Sequence, residues 1–189
     1  MAINPSFYNL KQEKQERIIN AGIKEFVTSG FDKSSTNAIV EEAGISKGSL
    51  FNYFNNKKEL YLFLLDYSLQ VVDKIIDDID LKDGDLFNRI HNIGIRKLYV
   101  QMEFPHLFDL LTAAVAEDSE TVREAIKVKL DPVYSESQKR LYENIDYSLC
   151  REDVDVEKAI EILNWTMTGY GDKTVRQLNS FEDLSEFGE

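Results

Sequence analysis

Apolar residues recur at helical spacing along most of the chain. The first such stretch begins at Gln12 and ends at Gly30, a residue type that commonly follows the last turn of a helix. No stretch alternates apolar and polar residues for long enough to predict a strand. The pattern therefore predicts an all-α fold of about nine helices. The apolar positions of the first helix are Ile18, Ile19, Gly22, Ile23, Phe26 and Val27.

Two short helices are predicted next, over 36–43 and 47–54, joined by the turn Gly44-Ile45-Ser46. Ser34 or Ser35 can cap the first of these helices with a hydroxyl oxygen, and the serine of the turn can cap the second. Two short helices joined by a turn with glycine are typical of a helix-turn-helix, whose second helix enters the major groove of DNA. Such a pair also occurs in proteins that bind no DNA, so its spacing alone leaves the function open.

The remainder of the chain predicts longer helices between polar breaks. Asn56 precedes the first of them and has the spacing of a capping box to Glu59. Pro105 suits a first helical turn, whereas Pro132 inside a later helix predicts a kink. The predicted helices span 57–79, 86–104, 107–116, 119–145 and 154–178, and one more begins at Ser180.

The composition is that of an ordinary globular protein with one or two domains. The chain has 189 residues, of which 43% are apolar and 30% are charged, with only 9 glycines and 3 prolines. No apolar run approaches the ~20 residues of a membrane-spanning helix, and residues 1–10 lack the pattern of a secretory signal. The single cysteine, Cys150, excludes an intramolecular disulfide and a zinc site built from cysteines. These features predict a cytoplasmic protein with no membrane partner.

Charge is distributed unevenly between the start of the chain and the rest. The net charge is −12, yet residues 1–65 carry eight Lys and Arg against seven Asp and Glu. Residues 66–189 carry fourteen Lys and Arg against twenty-seven Asp and Glu, a net charge of −13. A near-neutral part with local basic clusters, followed by an acidic part, predicts two functional units.

The second short helix has a thin apolar side and a face suited to DNA. Leu50 and Phe54 are expected to anchor the helix to its neighbours. The other face carries hydroxyl, amide and ammonium groups that can reach phosphates or base edges, and the helix N-terminus favours an anion. Gly48 has no side chain, so the DNA backbone can approach closely there. The groups of this face belong to Ser46, Lys47, Ser49, Asn52 and Tyr53, and Lys57 and Lys58 on the next helix can hold flanking phosphates.

A dense motif covers the same region. It comprises Phe26-x-x-x-Gly30-Phe31-Asp32-Lys33-x-Ser35-Thr36 and the run AGISKGSLFNYFNNKKEL over 43–60. Over roughly residues 12–62 the chain resembles the N-terminal DNA-binding domain of the tetracycline-repressor (TetR) family of bacterial transcription regulators. Phe51 departs from the pattern, because many relatives carry a tyrosine whose hydroxyl contacts phosphate. The resemblance assigns DNA contact to Thr36, Ser46, Lys47, Gly48, Ser49, Asn52, Tyr53 and Lys57, with simple helix capping as the alternative for Thr36.

The resemblance implies a homodimer whose two recognition helices read the halves of an inverted-repeat DNA operator. It implies a DNA-binding domain over 1–56 and a ligand-binding and dimerisation domain over 57–189, linked by the long fourth helix. A small-molecule effector in the second domain would change the spacing of the two recognition helices and release the DNA. The expected protein is therefore a repressor, although the sequence leaves an activator open.

Candidate residues in the second domain rest on composition, because the family diverges there. A ligand pocket between helices is expected to use aromatic and apolar side chains, whose alternative is an ordinary core. A helix with a tryptophan and two glycines is expected to form the dimer interface, with packing inside one subunit as the alternative. The pocket candidates are Tyr99, Met102, Phe108, Leu111 and Tyr134, and the dimer candidates are Trp165, Gly169 and Tyr170.

Two other functional classes remain as alternatives to a ligand-responsive DNA-binding regulator. An enzyme is disfavoured, because the sequence has no clustered nucleophile and base, no glycine-rich phosphate loop and no metal-ligand spacing. His91 and His106 are too far apart to suggest a metal pair, so we expect no metal and no cofactor. A helical interaction module that has lost DNA binding would have a damaged recognition helix, whereas this one is intact.

Overall fold

The computed structural model describes residues 3–78, 82 and 84–175, without the side chains of 134, 135, 137, 138, 149, 167, 168 and 170–175. In those ranges all regular structure is helical, which confirms the predicted all-α fold. The helix predicted from Ser180 lies outside the described residues. The helices are α1 Gln12–Lys33, α2 Thr36–Ala43, α3 Lys47–Phe54, α4 Lys57–Asp77, α5 Leu86–Glu103, α6 Leu107–Val115, α7 Arg123–Tyr142 and α8 Val156–Val175, with a 3-10 turn Tyr147–Leu149 before α8.

Local sequence signals set the ends of α2 and α3 as predicted. The hydroxyl of Ser35 accepts a hydrogen bond from the backbone N–H of Ala38 at 3.4 Å and caps α2. The hydroxyl of Ser46 accepts one from the backbone N–H of Ser49 at 3.1 Å and caps α3. Gly44 follows α2 with φ 64° and ψ 41°, a left-handed conformation that costs glycine little.

The end of α1 differs from its prediction. Gly30 has φ 68° and ψ 172°, so the helix is broken there, but one more turn continues to Lys33. A side chain at such a φ would be strained, which accounts for glycine at this position. The predicted stop at Gly30 is therefore a break inside α1, and the extra turn carries residues that the functional site uses.

α7 begins later than predicted. Residues 119–122 form a turn, in which the carbonyl of Ser119 accepts hydrogen bonds from the N–H groups of Val122 at 3.1 Å and Arg123 at 2.9 Å. Pro132 lies inside α7, and the helix continues past it to Tyr142.

The described residues pack into two compact units. The first comprises the residues up to Val72 together with Phe104–Ser135, and the second comprises Asp73–Glu103 together with the residues from Glu136 onward. This division reflects contacts within the chain. The predicted division by function, into a DNA-binding domain over 1–56 and a ligand-binding and dimerisation domain over 57–189, stays a prediction.

The first unit has a core of aromatic and aliphatic side chains. α6 packs against α1, and the ring of Tyr61 on α4 lies 4.9 Å from that of Phe26 and 5.3 Å from that of Phe31. α4 passes close to α1 at Gly22, where a Cβ atom would lie 2.7 Å from a terminal methyl of Leu64. Buried members of this core are Ile18, Ile23, Phe26, Ile39, Ala43, Leu50, Phe54, Leu60, Leu64, Leu107 and Leu110.

The second unit is held by polar contacts as well as by packing of α5 against α8. The guanidinium of Arg89, which is 1% exposed, donates to the carbonyls of Leu141 at 3.1 Å and Glu143 at 2.6 Å. These carbonyls belong to the C-terminal end of α7, where a cation is favourable. The hydroxyl of Tyr142 donates to the side-chain carbonyl of Asn164 on α8 at 2.8 Å. None of the helices in the described ranges has an apolar stretch long enough to span a membrane.

Candidate nucleic-acid interface

α3 divides into a buried side and an exposed side, as the sequence predicts. Leu50 and Phe54 are each 1% exposed and pack into the core of the first unit. Lys47, Gly48 and Asn52 are exposed on the other side. The exposed side therefore presents an ammonium group, an amide and bare backbone next to one another on a short helix.

The start of α3 is capped by serine hydroxyls and positively polarised. The hydroxyls of Ser46 and Ser49 lie 2.8 Å apart, and the former also accepts the N–H of the latter. Both serines are therefore used in the cap. The N–H groups of Lys47 and Gly48, in the first turn, have no carbonyl four residues earlier in the helix, and such N–H groups attract phosphate.

The surrounding protein leaves room for a side chain at Gly48. A Cβ atom there would contact only the hydroxyl of Ser46, at an ordinary 3.9 Å. The space above Gly48 is otherwise open to within 4 Å, and the close approach of DNA there stays a prediction.

Lys47 begins α3 and Thr36 begins α2, and both belong to the predicted DNA-contacting set. The ammonium of Lys47 lies 6.0 Å from the ring centroid of the half-buried Phe51, at the outer limit of a cation–π contact. Its charge is therefore available to solvent or to phosphate. Thr36 is the first residue of α2 and is half-buried, while its neighbour Ser35 makes the cap.

Tyr53 is buried, whereas the sequence suggested a side chain that faces DNA. Only 8% of the residue is exposed, and its ring packs edge-on against Phe7 with centroids 5.9 Å apart. Phe7 also meets Phe54 at 5.0 Å and Phe63 at 5.3 Å. This cluster could not be predicted from helical periodicity, because Phe7 precedes α1 and belongs to no helical pattern.

Lys57 is engaged inside the protein, whereas the sequence suggested a phosphate contact. Its ammonium donates to the carbonyls of Phe31 at 2.7 Å, Asp32 at 3.1 Å and Ser34 at 3.2 Å. It also lies 4.8 Å from the ring centroid of Phe31. An ammonium has three N–H donors, and all three are satisfied here. Lys57 thus ties the start of α4 to the last turn of α1.

The residues proposed for a ligand pocket fall in different units. Tyr99, which is 46% exposed, and Met102, which is half-buried, belong to the second unit. Phe108, half-buried, and Leu111, 5% exposed, belong to the first. The side chain of Tyr134 lies outside the described residues. The shared pocket stays a prediction.

Two open grooves occur within the first unit. One, of about 530 Å³, lies between α4 and the start of α7, and the other, of about 600 Å³, lies between α6 and α7. Neither is lined by Phe108 or Leu111. Among the described residues no group of three or more His, Cys, Asp and Glu could hold a metal ion. The second groove is lined by Thr112, Ala114, Val115, Glu117, Arg123, Ile126, Lys127, Leu130 and Asp131.

α8 exposes large apolar side chains on one face. Ile162 is 59% exposed and Trp165 is 71% exposed. Gly169, one turn further, is exposed, and a Cβ atom there would meet nothing within 4 Å. The side chain of Tyr170 lies outside the described residues. Trp165 and Gly169 therefore share an exposed stripe with Ile162, a residue that was not among the predicted dimer contacts.

Comparison with known proteins finds a family match for the helix-turn-helix region. Residues 18–63 match the model of the bacterial regulatory proteins of the tetR family. The uncharacterised HTH-type transcriptional regulator YerO of Bacillus subtilis (strain 168) is 40% identical over 55 residues, which are 29% of this chain and 19% of that protein. The chain thus spans about a fifth of the length of this relative.

Solved structures extend the similarity along the chain. A TetR family transcriptional regulator from Chloroflexus aurantiacus J-10-FL superposes with a TM-score of 0.67 and 25% identity, covering 100% of this chain and 88% of the other. A gamma-butyrolactone receptor, described as ArpA-like, has the same fold, with a TM-score of 0.56, 19% identity and coverage of 83% and 78%. Residues 18–63 thus match the tetR family of bacterial regulatory proteins, and the described helices share the fold of a solved TetR family transcriptional regulator.

Proposed function

We propose that this protein is a homodimeric transcriptional repressor that binds an inverted-repeat DNA operator through α3. A small molecule bound in the C-terminal helical region releases it from the operator. The observation that carries the proposal is the exposed side of α3, where Lys47 and Gly48 lie in the capped first turn and Asn52 lies one turn further along the helix.

The charged and polar groups of this surface match the groups that DNA presents. The ammonium of Lys47 and the first N–H groups of α3 attract phosphate, which fixes the position of the helix. The amide of Asn52 can donate and accept at once, which matches the acceptor and donor on the major-groove edge of adenine. The acidic remainder of the chain, with a net charge of −13 over 66–189, repels DNA elsewhere and restricts binding to this surface.

The proposed dimer is supported by the exposed stripe of α8. Ile162, Trp165 and Gly169 occupy one face of the helix and leave large apolar area in solvent. A second copy of the same face can cover it, since symmetric two-fold association is the commonest form of oligomer. Two subunits would then present two α3 helices to two half-sites of an operator.

The proposed effector site is supported by the family and by the receptor that shares the fold. That protein is named a receptor for gamma-butyrolactone, a small molecule. The pocket candidates stay Tyr99, Met102, Phe108, Leu111 and Tyr134. Because a repressor acts where the DNA is, we infer that the protein works in the cytoplasm. The members of the family are regulators rather than enzymes, and no catalytic role is proposed.

The proposal is tested by selecting genomic DNA fragments with the purified protein and with a Lys47→Ala, Asn52→Ala double variant. The wild type is expected to enrich a small set of fragments that share an inverted repeat, and the variant is expected to enrich none. A small-molecule library is then screened for compounds that release the enriched fragment. Enrichment of the same fragments by both proteins, or of none by the wild type, would overturn the proposal.

A further inference from the structure

Residues 4–8 form an arm that lies against the C-terminal end of α3. Phe7 anchors this arm, since it is 1% exposed and its ring meets the rings of Tyr53, Phe54 and Phe63 within 5.9 Å. The DNA-binding surface described above does not include the arm. Its position beside α3 nevertheless brings one of its polar side chains to that surface.

The arm is joined to α3 through the backbone. The N–H of Asn4 donates to the carbonyl of Tyr53 at 3.2 Å, one of the last carbonyls of the helix. The side-chain carbonyl of Asn4 accepts the N–H of Ser6 at 3.0 Å, and the backbone carbonyl of Asn4 accepts the N–H of Phe7 at 2.9 Å. These bonds fix the position of Ser6 relative to α3.

Ser6 contacts a residue of the exposed side of α3. The amide of Asn52 donates one N–H to the hydroxyl of Ser6, with 3.3 Å between nitrogen and oxygen. An asparagine side chain has two N–H donors and one carbonyl acceptor, so one N–H and the carbonyl oxygen stay available. That remaining pair is the one that contacts the N6 and N7 atoms of adenine in the major groove.

A side chain that is oriented before binding loses less conformational freedom when DNA arrives. Without the hydroxyl of Ser6, the amide of Asn52 can rotate and present its donor and acceptor in either order. The contact with Ser6 selects one order in the free protein. It therefore favours a base with one donor and one acceptor at fixed places.

We propose that Ser6 is a positioning residue that orients the amide of Asn52 and so sets a preference for adenine at one position of each operator half-site. This inference rests on the proposed function, because it assumes that α3 reads DNA. Phe7 holds the arm in place, and Ser6 acts only through Asn52.

The test compares base preferences of the full-length protein. An operator is selected from random DNA with the wild type, and affinities are measured for that site and all of its single-base variants. The same panel is measured for Ser6→Ala, Ser6→Thr, Asn52→Ala and the Ser6→Ala, Asn52→Ala double variant. Thermal unfolding of each variant checks that the fold is kept, as is expected because Phe7 is unchanged.

The wild type is expected to prefer adenine by about tenfold at one position of the half-site. Ser6→Ala lowers this preference several-fold at that position alone, and Ser6→Thr, which retains a hydroxyl, restores it. In the Asn52→Ala background, Ser6→Ala has no further effect on base preference.

Three results would overturn the inference. In the first, Ser6→Ala and the wild type have the same preferences at every position. In the second, Ser6→Ala lowers preferences equally at all positions, as a purely structural role would. In the third, the wild type selects no sequence, which would overturn the proposed function together with the inference. In the first two, the proposed function stands and only the role of Ser6 fails.

Discussion

The carboxylate of Glu117 accepts a hydrogen bond from the backbone N–H of Phe31 at 2.8 Å, although the two residues are 86 positions apart in the sequence. The break at Gly30 interrupts the helical hydrogen bonds of α1 where this N–H lies. The other oxygen of Glu117 accepts the N–H of Ser119 at 3.0 Å, and the hydroxyl of Ser119 donates to Asp32 at 2.8 Å. The connection between α6 and α7 is thus tied to the last turn of α1, which precedes the helix-turn-helix.

The first prediction concerns this tie. Glu117→Ala leaves the N–H of Phe31 without its acceptor, and we expect the free energy of unfolding to fall by about 1–3 kcal/mol. Glu117→Gln keeps an acceptor oxygen, so its loss should be smaller. Urea unfolding measures both, with the exposed neighbour Glu120→Ala as the control. A Glu117→Ala protein as stable as this control would show that the contact does not hold the two segments together.

The second prediction separates two roles for Lys57. Lys57→Met keeps most of the aliphatic part of the side chain and removes the ammonium that satisfies three carbonyls. The free energy of unfolding should therefore fall by about 1–3 kcal/mol. Because the ammonium is engaged inside the protein, the dependence of DNA affinity on salt should stay unchanged at temperatures where the variant is folded. If the folded variant instead has a slope of log affinity against log salt concentration that is smaller by about one, Lys57 contacts phosphate, as the sequence suggested.

The third prediction follows from the burial of Tyr61. Burial raises the pKa of its hydroxyl far above the ordinary value of 10.0, and the nearby carboxylate of Glu117 adds to the shift. Above pH 10 the unfolded chain therefore loses this proton while the folded protein retains it. The stability that Tyr61 contributes is complete below that pH and decreases as the pH rises.

Tyr61→Phe removes the titrating group, so its stability should decline less steeply than that of the wild type between about pH 9 and pH 11. Tyr8→Phe is the matched control, because Tyr8 is 59% exposed. Urea unfolding across this pH range gives the slopes. Equal slopes for the wild type and Tyr61→Phe would mean that the hydroxyl is not held neutral by burial.

The fourth prediction tests the proposed dimer. Trp165→Ala removes the largest exposed apolar side chain of the α8 stripe, and we expect the dissociation constant of the dimer to rise by about tenfold or more. Phe87→Ala on α5 is the control, because Phe87 is 72% exposed and lies on another helix. Sedimentation equilibrium measures both. A change in Phe87→Ala with none in Trp165→Ala would place the interface elsewhere.

Local signals in the sequence were enough to predict the helix-turn-helix. Ser35, Gly44 and Ser46 act on the backbone within a few residues, so their roles as caps could be read directly from their spacing. Polarity also separated the buried Leu50 and Phe54 from the exposed Lys47, although it placed Tyr53 on the wrong side of α3.

Contacts between distant segments could not be predicted in this way. The sequence gives no sign that Phe7 packs on α3, and this contact is what buries Tyr53. Lys57 appears as a free cation until the carbonyls at the end of α1 are found beside it, at a separation of 23 to 26 residues. Tyr53 and Lys57 differ from their predicted roles because the sequence shows the polarity of a side chain, whereas the contacts of that side chain depend on the fold.

If the exposed side of α3 binds DNA, Lys47 neutralises a phosphate there, and the dependence of operator affinity on salt reveals that contact. Fluorescence anisotropy is measured across a salt series for the wild type, Lys47→Ala and Lys139→Ala, the last being an exposed lysine on α7 with the same change of charge. Lys47→Ala should bind more weakly at every salt concentration, and its log–log slope should be smaller by about one phosphate contact. Lys139→Ala should match the wild type. Equal affinity and equal slope for Lys47→Ala and the wild type would contradict the claim.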